Sequence, residues 1–371
     1  MNELAAIFDR LVSADASFAL YRLPWTDKCR LVWQLHGTVT CLDRIDSMGH
    51  SQGFVMAPFR PSPLHPVVLI RPDVQAQGWD EIAHALHTHA PAVKSLVSRA
   101  GAQVSLPDSM LSAVVEQTLY REAFQRFITP LQAGRYRKLV LSRASLRQTP
   151  AGFSLFRSFQ EACRRYPRMM VYLCHTPVTG TWMGSTPEIL LCGEEHSWHT
   201  VALAGTMPMQ GEEMPTDWSE KNRMEQACVA DYIRHTIRSY GDELTEEGPY
   251  TSRAGGVVHL KTDFRFLLRD TTCLGRLIDA MHPTPAVCGL PKEDTYHFIS
   301  THEGYDRSYY SGFVGPLQLG GHTDLFVNLR CMEVFPQAVR LYAGGGILPQ
   351  SEPISEWQET EVKMNTMLSV L

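Results

Sequence analysis

Between Lys138 and Ala343 the chain is a succession of short apolar runs separated by tight turns, and this limits its possible folds more than any other feature. Strand-like runs fall at Lys138–Leu139–Val140–Leu141, Met169 to Leu173, Glu188 to Leu191, Val257 to Leu268, Tyr310 to Leu319, Leu325 to Val334 and Val339 to Ala343. Many are joined by short connections, which favour antiparallel pairing. The last two, linked through Pro336–Gln337, read as a hairpin. Strand alternation sends Leu325, Val327, Leu329 and Cys331 to one face, and Phe326, Asn328, Arg330 and Met332 to the other. Helices are expected from Leu4 to Val12, from Asp217 to Tyr240, and after Pro107–Asp108–Ser109. In that third stretch Leu111, Val114, Val115, Leu119, Phe124, Phe127 and Leu131 recur at helical steps, with Asp108 or Ser109 as N-cap. The regular strand–helix alternation of a doubly wound sheet is absent. The fold class is therefore α+β, and with no linker in sight the chain reads as a single domain over 1–371.

Composition removes several classes of function. Hydrophobic residues make up 44% and charged residues 20%, an ordinary globular profile. A formal charge of -5 offers no footprint for nucleic acid. No apolar stretch is long enough to span a bilayer, and the opening Met1–Asn2–Glu3–Leu4 lacks the basic and apolar regions of a signal peptide, so a cytoplasmic location is expected. The nine cysteines are scattered without a CxxC pair, which reads as reduced, mostly buried thiols. His84, His87 and His89 have metal-like spacing but no carboxylate or cysteine partner nearby in sequence. Neither a GxxxxGK[ST] loop nor a GxGxxG fingerprint is present, so a nucleotide cofactor has no support.

The densest chemistry is C-terminal. Gly344–Gly345–Gly346 follows a strand run, where bare backbone can approach an anion closely or simply turn. After Pro353 a helix is expected, placing Glu356, Glu359 and Lys363 on one face. Two carboxylates so placed suit a hard cation such as Mg²⁺ or a solvated helix surface, while Trp357, Met364, Met367 and Leu368 imply that this helix packs. Glu225, early in its own helix, is a third candidate carboxylate or an exposed helix charge. Lys138 opens a strand. It is a solvated strand end or, if held in a partly buried pocket, an amine able to act as a general base. Glu188 precedes a buried-looking run and could serve as a general acid if desolvated.

Together these pieces resemble the chorismate-utilising enzymes, the family of isochorismate, salicylate, anthranilate and aminodeoxychorismate synthases. The resemblance covers 108–371, with residues 1–107 matching weakly, chiefly at Gly53–Phe–Val–Met–Ala–Pro–Phe59. It is carried by Lys138–Leu–Val–Leu–Ser–Arg143, Gly184–Ser–Thr–Pro–Glu–Ile–Leu–Leu191, Leu203–Ala–Gly–Thr206, His282–Pro–Thr–Pro–Ala–Val–Cys–Gly289, Gly312–Phe–Val–Gly315, Ala343–Gly–Gly–Gly–Ile347 and Glu356–Trp–Gln–Glu–Thr–Glu–Val–Lys363. It implies one large α+β domain of two stacked, mainly antiparallel sheets flanked by helices, with a deep pocket for chorismate and Mg²⁺. Glu225 and Glu359 would ligate the metal directly and Glu356 through water. Arg330 and Lys363 would pair with the enolpyruvyl carboxylate. Gly205, Thr206 and Gly344 would add main-chain or hydroxyl contacts, while His259 and Tyr310 would line the ring pocket.

Within that family, Lys138 as base and Ala204 ahead of Gly205–Thr206 point to water as the nucleophile rather than ammonia. Ala286 resembles isochorismate synthases, where salicylate synthases tend to carry threonine. The resemblance therefore implies an isomerase acting on chorismate alone, with no glutaminase subunit, as a monomer, for menaquinone or siderophore synthesis. The alternatives are a salicylate synthase and a chorismate-binding protein without catalysis. Two positions depart from the family pattern: Gln226 follows Glu225 where histidine is common, and Tyr342 stands where phenylalanine is frequent.

Overall fold

The computed structural model describes residues 2–90, 112–209 and 211–371. Its strands form two nine-stranded sheets, and the pairings between them are antiparallel. The first sheet runs in space Gly289–Leu290, Lys138–Gln148, Ala338–Ile347, Cys331–Val334, Gly180–Thr186, Met170–Thr176, Ser17–Arg22, Cys29–Gln34, Val74–Gln77. The second runs Gly241–Ala254, Val257–Leu268, Ser197–Pro208, Ile189–Glu194, His322–Val327, Phe313–Leu317, Gly53–Ala57, Val67–Ile70, Thr40–Leu42.

Strand alternation explains how the layers stack. Phe18 and Leu20 join a core beneath the helices Asn2–Ser13, Trp79–His89, Leu155–Arg165 and Pro353–Leu368, while their neighbours Ala19 and Tyr21 face the other way. There they meet Phe54, Met56, Val68 and Phe326 of the second sheet, so this inner layer is where the sheets pack. The far side of the second sheet is covered by Val229, Ile233 and Ile237 of the helix Glu220–Tyr240 and by Leu277 and Ile278 of Leu274–Met281. The α+β class and the stacked antiparallel sheets expected from the sequence are both observed.

Four local expectations need correction. The run Leu325–Val334 is not one strand: His322–Val327 lies in the second sheet and Cys331–Val334 in the first. Residues 328–330 cross between them, so the single alternating face does not exist, and Arg330 sits in the crossing with φ +46°. Only Cys331–Val334 forms the hairpin with Ala338–Ile347. Tyr310 lies in the turn ahead of Phe313–Leu317 rather than on a strand. The helix expected from Asp217 begins at Glu220, where the Ser219 hydroxyl accepts from the Asn222 N–H. Asp108 and Ser109 lie outside the described residues; the helix Ala113–Gln132 is capped by Ser112, whose side chain accepts from the Val115 N–H.

Candidate active site

A cavity opens where residues of both sheets meet the crossing segment. Its wall brings together Glu188, Gly205, Thr206, Glu225, His259 and Ala286 with Tyr310, Arg330, Gly344, Glu359 and Lys363. These expected positions come from nine separate stretches of sequence. Lys138 and Glu356 are not on the wall itself; they stand just behind its glycines.

The glycines show how closely the charged groups approach the backbone. A Cβ on Gly346 would lie 2.2 Å from Glu225 Oε1 and 2.9 Å from Lys138 Cε. One on Gly345 would lie 3.2 Å from both Glu356 Oε2 and Glu359 Oε1. Neither residue has φ in the left-handed range, so these glycines are required for space rather than for backbone conformation. Register places Gly346 opposite Val140 and Gly345 opposite Leu141 in the neighbouring strand that Lys138 opens. The triplet is thus an ordered strand end and not a flexible turn. Glu225, Glu356 and Glu359, from two helices, converge on it.

Each carboxylate has a lysine beside it. Lys138, with no exposed surface, puts Nζ 2.9 Å from Glu225 Oε1 without the alignment of a hydrogen bond. Lys221 donates to Glu356 Oε1, and Lys363 donates to Glu359 Oε1 and, at 2.9 Å, to the Gly344 carbonyl. Burial alone would raise the Glu225 carboxyl, but the ammonium groups of Lys138, Lys221 and Lys363 hold it below the usual range. Burial and the adjacent Glu359 push the Glu356 carboxyl up against the pull of Lys221. Glu356 Oε2 is buried with no hydrogen-bond partner among the described residues. Three converging carboxylates, one with an orphaned oxygen, are the donor set a hard divalent cation such as Mg²⁺ takes.

On the opposite charge, Arg330 is buried by its place in the crossing and donates from Nη2 to His259 Nε2 at 3.0 Å. His259 Nδ1 lies 2.9 Å from the Gly205 carbonyl. Because Nε2 accepts, Nδ1 carries the proton and donates, which fixes a neutral imidazole. Burial and then the Arg330 charge hold its pKa well below the ordinary histidine range. Tyr310 stacks on Tyr342, centroids 5.3 Å apart, and Tyr342 on Trp182 at 5.4 Å. The tyrosine at 342 extends this aromatic stack and its hydroxyl donates to Glu333.

Glu188 directly precedes its strand, and its carbonyl accepts from the Val327 N–H at 2.9 Å. Burial pushes its carboxyl up to about 7, opposed by a hydrogen bond from Thr284 and by the Lys138, Lys363 and Arg330 charges. A carboxyl poised there can hold a proton near neutral pH. Sequence reasoning did not single out Thr284 or Lys221. The spacing of Lys221 four residues before Glu225 was a usable sign, since it sets both on one helix face. Thr284 lies within the His282–Gly289 motif, but nothing there marks its partner, because it reaches Glu188 only through the fold. Trp357 packs as expected, with the Arg143 guanidinium 3.7 Å above its ring. The histidines at 84, 87 and 89 lie on the helix Trp79–His89, away from this cavity.

Residues 68–371 match the family model described as chorismate binding enzyme. The chain belongs to the chorismate-binding enzyme family. The matched span begins well before residue 108, so part of the N-terminal stretch that resembled the family only weakly is also recognisable. Isochorismate synthase EntC of Escherichia coli is 30% identical over 268 residues, covering 70% of this chain and 68% of that protein. A crystal structure of DhbC from Bacillus anthracis superposes with TM-score 0.77 at 22% identity, covering 98% of both chains. The menaquinone-specific isochorismate synthase MenF from Escherichia coli gives 0.74 at 22% identity, covering 98% of this chain and 90% of that one. As a member of the chorismate-binding family, the chain carries its charged cavity wholly within the matched span.

Proposed function

We propose that the protein is an isochorismate synthase, a magnesium-dependent isomerase that converts chorismate to isochorismate. The observation that carries the reading is one cavity lined by a carboxyl poised near neutrality and by Glu225 and Glu359, with the buried Lys138 and Glu356 directly behind its glycines, in a chain 30% identical to EntC.

Glu225, Glu356 and Glu359 would hold Mg²⁺, with Glu356 acting through water. The bound ion would neutralise the ring carboxylate of chorismate and stabilise charge as the ring electrons move. Arg330 and Lys363 pair with the enolpyruvyl carboxylate, while the Gly205–Thr206 and Gly344 backbone and the Tyr310 and His259 rings enclose the ring. Lys138, as the neutral amine after giving up its own proton, takes a proton from the water that attacks C2. The C1–C2 double bond shifts to C1–C6, the C5–C6 double bond shifts to C4–C5, and the C4–oxygen bond breaks. Glu188 gives its proton to that departing hydroxyl, which leaves as water. One water enters and one leaves, so the composition is unchanged.

Support for water over ammonia comes from Ala204 on the wall beside Gly205, where no lysine offers an amine. The half-buried Ala286 supports release of isochorismate before pyruvate is lost. No helix of the described residues is long and apolar enough to cross a membrane. We place the enzyme in the cytoplasm, working as a monomer without a glutaminase subunit, for menaquinone or siderophore synthesis. Incubation with chorismate and Mg²⁺, followed by chromatography, is expected to give isochorismate and no salicylate or pyruvate. Salicylate would make it a salicylate synthase, and no turnover with any divalent metal would leave a binding protein.

A further inference from the structure

A second cluster of ligand-type side chains lies outside the cavity, on the strands Ile189–Glu194 and His322–Val327. Their antiparallel register sets Cys192 opposite Asp324 and Glu194 opposite His322. Positions two apart on a strand share a face, so all four side chains come together. Cys192 Sγ is 3.0 Å from Asp324 Oδ1 and 3.7 Å from His322 Nε2, and His322 Nε2 is 3.3 Å from Asp324 Oδ1. The other imidazole nitrogen, Nδ1, is 3.4 Å from Glu194 Oε2. Asp324 is buried, and Cys192 and His322 are half-buried.

We infer that Cys192, His322 and Asp324 form a binding site for a soft divalent cation of the zinc class, with Glu194 orienting the histidine and water completing the shell. Zinc bonds of about 2.3 Å to sulfur and 2.0–2.2 Å to nitrogen or oxygen set tetrahedral ligand atoms roughly 3.3–3.6 Å apart. The three donors already stand close to that spacing. A histidine that ligates through one nitrogen and gives its other N–H to a carboxylate is the usual outer arrangement of such sites. The mixed sulfur, nitrogen and oxygen set separates this site from the all-carboxylate cluster in the cavity, which suits a hard ion. On binding, the Cys192 thiol proton, now directed at Asp324, leaves to solvent and the thiolate takes the metal.

The position gives the site a structural role. Ile189–Glu194 follows directly on Glu188, and His322–Val327 leads into the crossing that holds Arg330. A bound ion would clamp the two strands from which these residues project. The test uses the full chain stripped with a chelator and titrated with Co²⁺ in the presence of excess Mg²⁺. A thiolate-to-cobalt charge-transfer band that saturates at one equivalent is expected, since the cavity carboxylates cannot produce one. Cys192→Ser is expected to abolish the band, and His322→Ala to weaken Co²⁺ binding at least about tenfold, as loss of a ligand should exceed the effect of losing an outer partner. Absence of the band in the unaltered chain, its survival in Cys192→Ser, or unchanged affinity in His322→Ala would each overturn the site. Unchanged circular dichroism in both variants keeps loss of binding distinct from loss of fold.

Discussion

A carboxyl held at about 7 inside a folded protein is a functional asset and a stability cost together. Glu188 keeps its proton in the fold up to about 7, against 4.5 for the free group. The folded chain therefore binds this proton more tightly than the unfolded chain. The group's contribution to stability is fully present below pH 4.5 and is lost as pH rises through about 7. Glutamine cannot ionise, so Glu188→Gln should match the parent in denaturant at pH 4 and exceed it above pH 8 by on the order of 3 kcal/mol. The same substitution removes the proposed acid, and Lys138→Ala the proposed base. Each should cut turnover by about 10²-fold or more, and in the parent kcat/KM should fall as pH rises through about 7. Much of this was legible residue by residue, because Lys138, Glu188, Glu356 and Glu359 sit in dense local motifs, while Glu225 stood apart as one acidic residue early in its helix. Lys221 and Thr284 were not, since their roles depend on partners 135 and 96 residues away.

At the scale of elements, the site is a strand end with no side chains, pressed between charged helices. Gly346→Ala would drive a Cβ into the Glu225 carboxylate and the Lys138 chain. Isothermal titration should show Mg²⁺ affinity reduced at least about tenfold, with cooperative unfolding retained; unchanged affinity would separate Glu225 from the metal. The run Leu325–Val334 shows where sequence patterning stops. Its apolar alternation continues unbroken, yet the chain changes sheets at 328–330, where buried hydrogen bonds take over. Tyr172 donates to Asn328 Oδ1 at 2.6 Å, and Asn328 Nδ2 donates to the Tyr309 carbonyl at 2.9 Å. A one-dimensional hydrophobic period carries no record of that asparagine's partners. The crossing matters for function because it places Arg330 between the sheets instead of on a strand face.

For the whole molecule, the least legible part was the N-terminal third. Its strands are short and split between sheets: Ser17–Arg22, Cys29–Gln34 and Val74–Gln77 join the first, and Thr40–Leu42, Gly53–Ala57 and Val67–Ile70 the second. Ser17–Arg22, Gly53–Ala57 and Val67–Ile70 are buried on both faces and lack the hydrophobic–polar alternation that marks a surface strand, while the edge strands Thr40–Leu42 and Val74–Gln77 are only three and four residues long. Residues 112–371 alone would lose Phe18, Leu20 and Trp33 from one core and Phe54 and Met56 from another. That fragment should fail to give a cooperative thermal transition, whereas a sharp one would make the N-terminal part a separable layer.

The central claim is that solvent water becomes the new hydroxyl of the product. Running the reaction with chorismate and Mg²⁺ in heavy-oxygen water, and reading the product by mass spectrometry, tests it most directly. The expected product is isochorismate carrying one heavy oxygen, at C2. Isochorismate formed without the label would mean that the original hydroxyl migrates, which would contradict the roles given to Lys138 and Glu188.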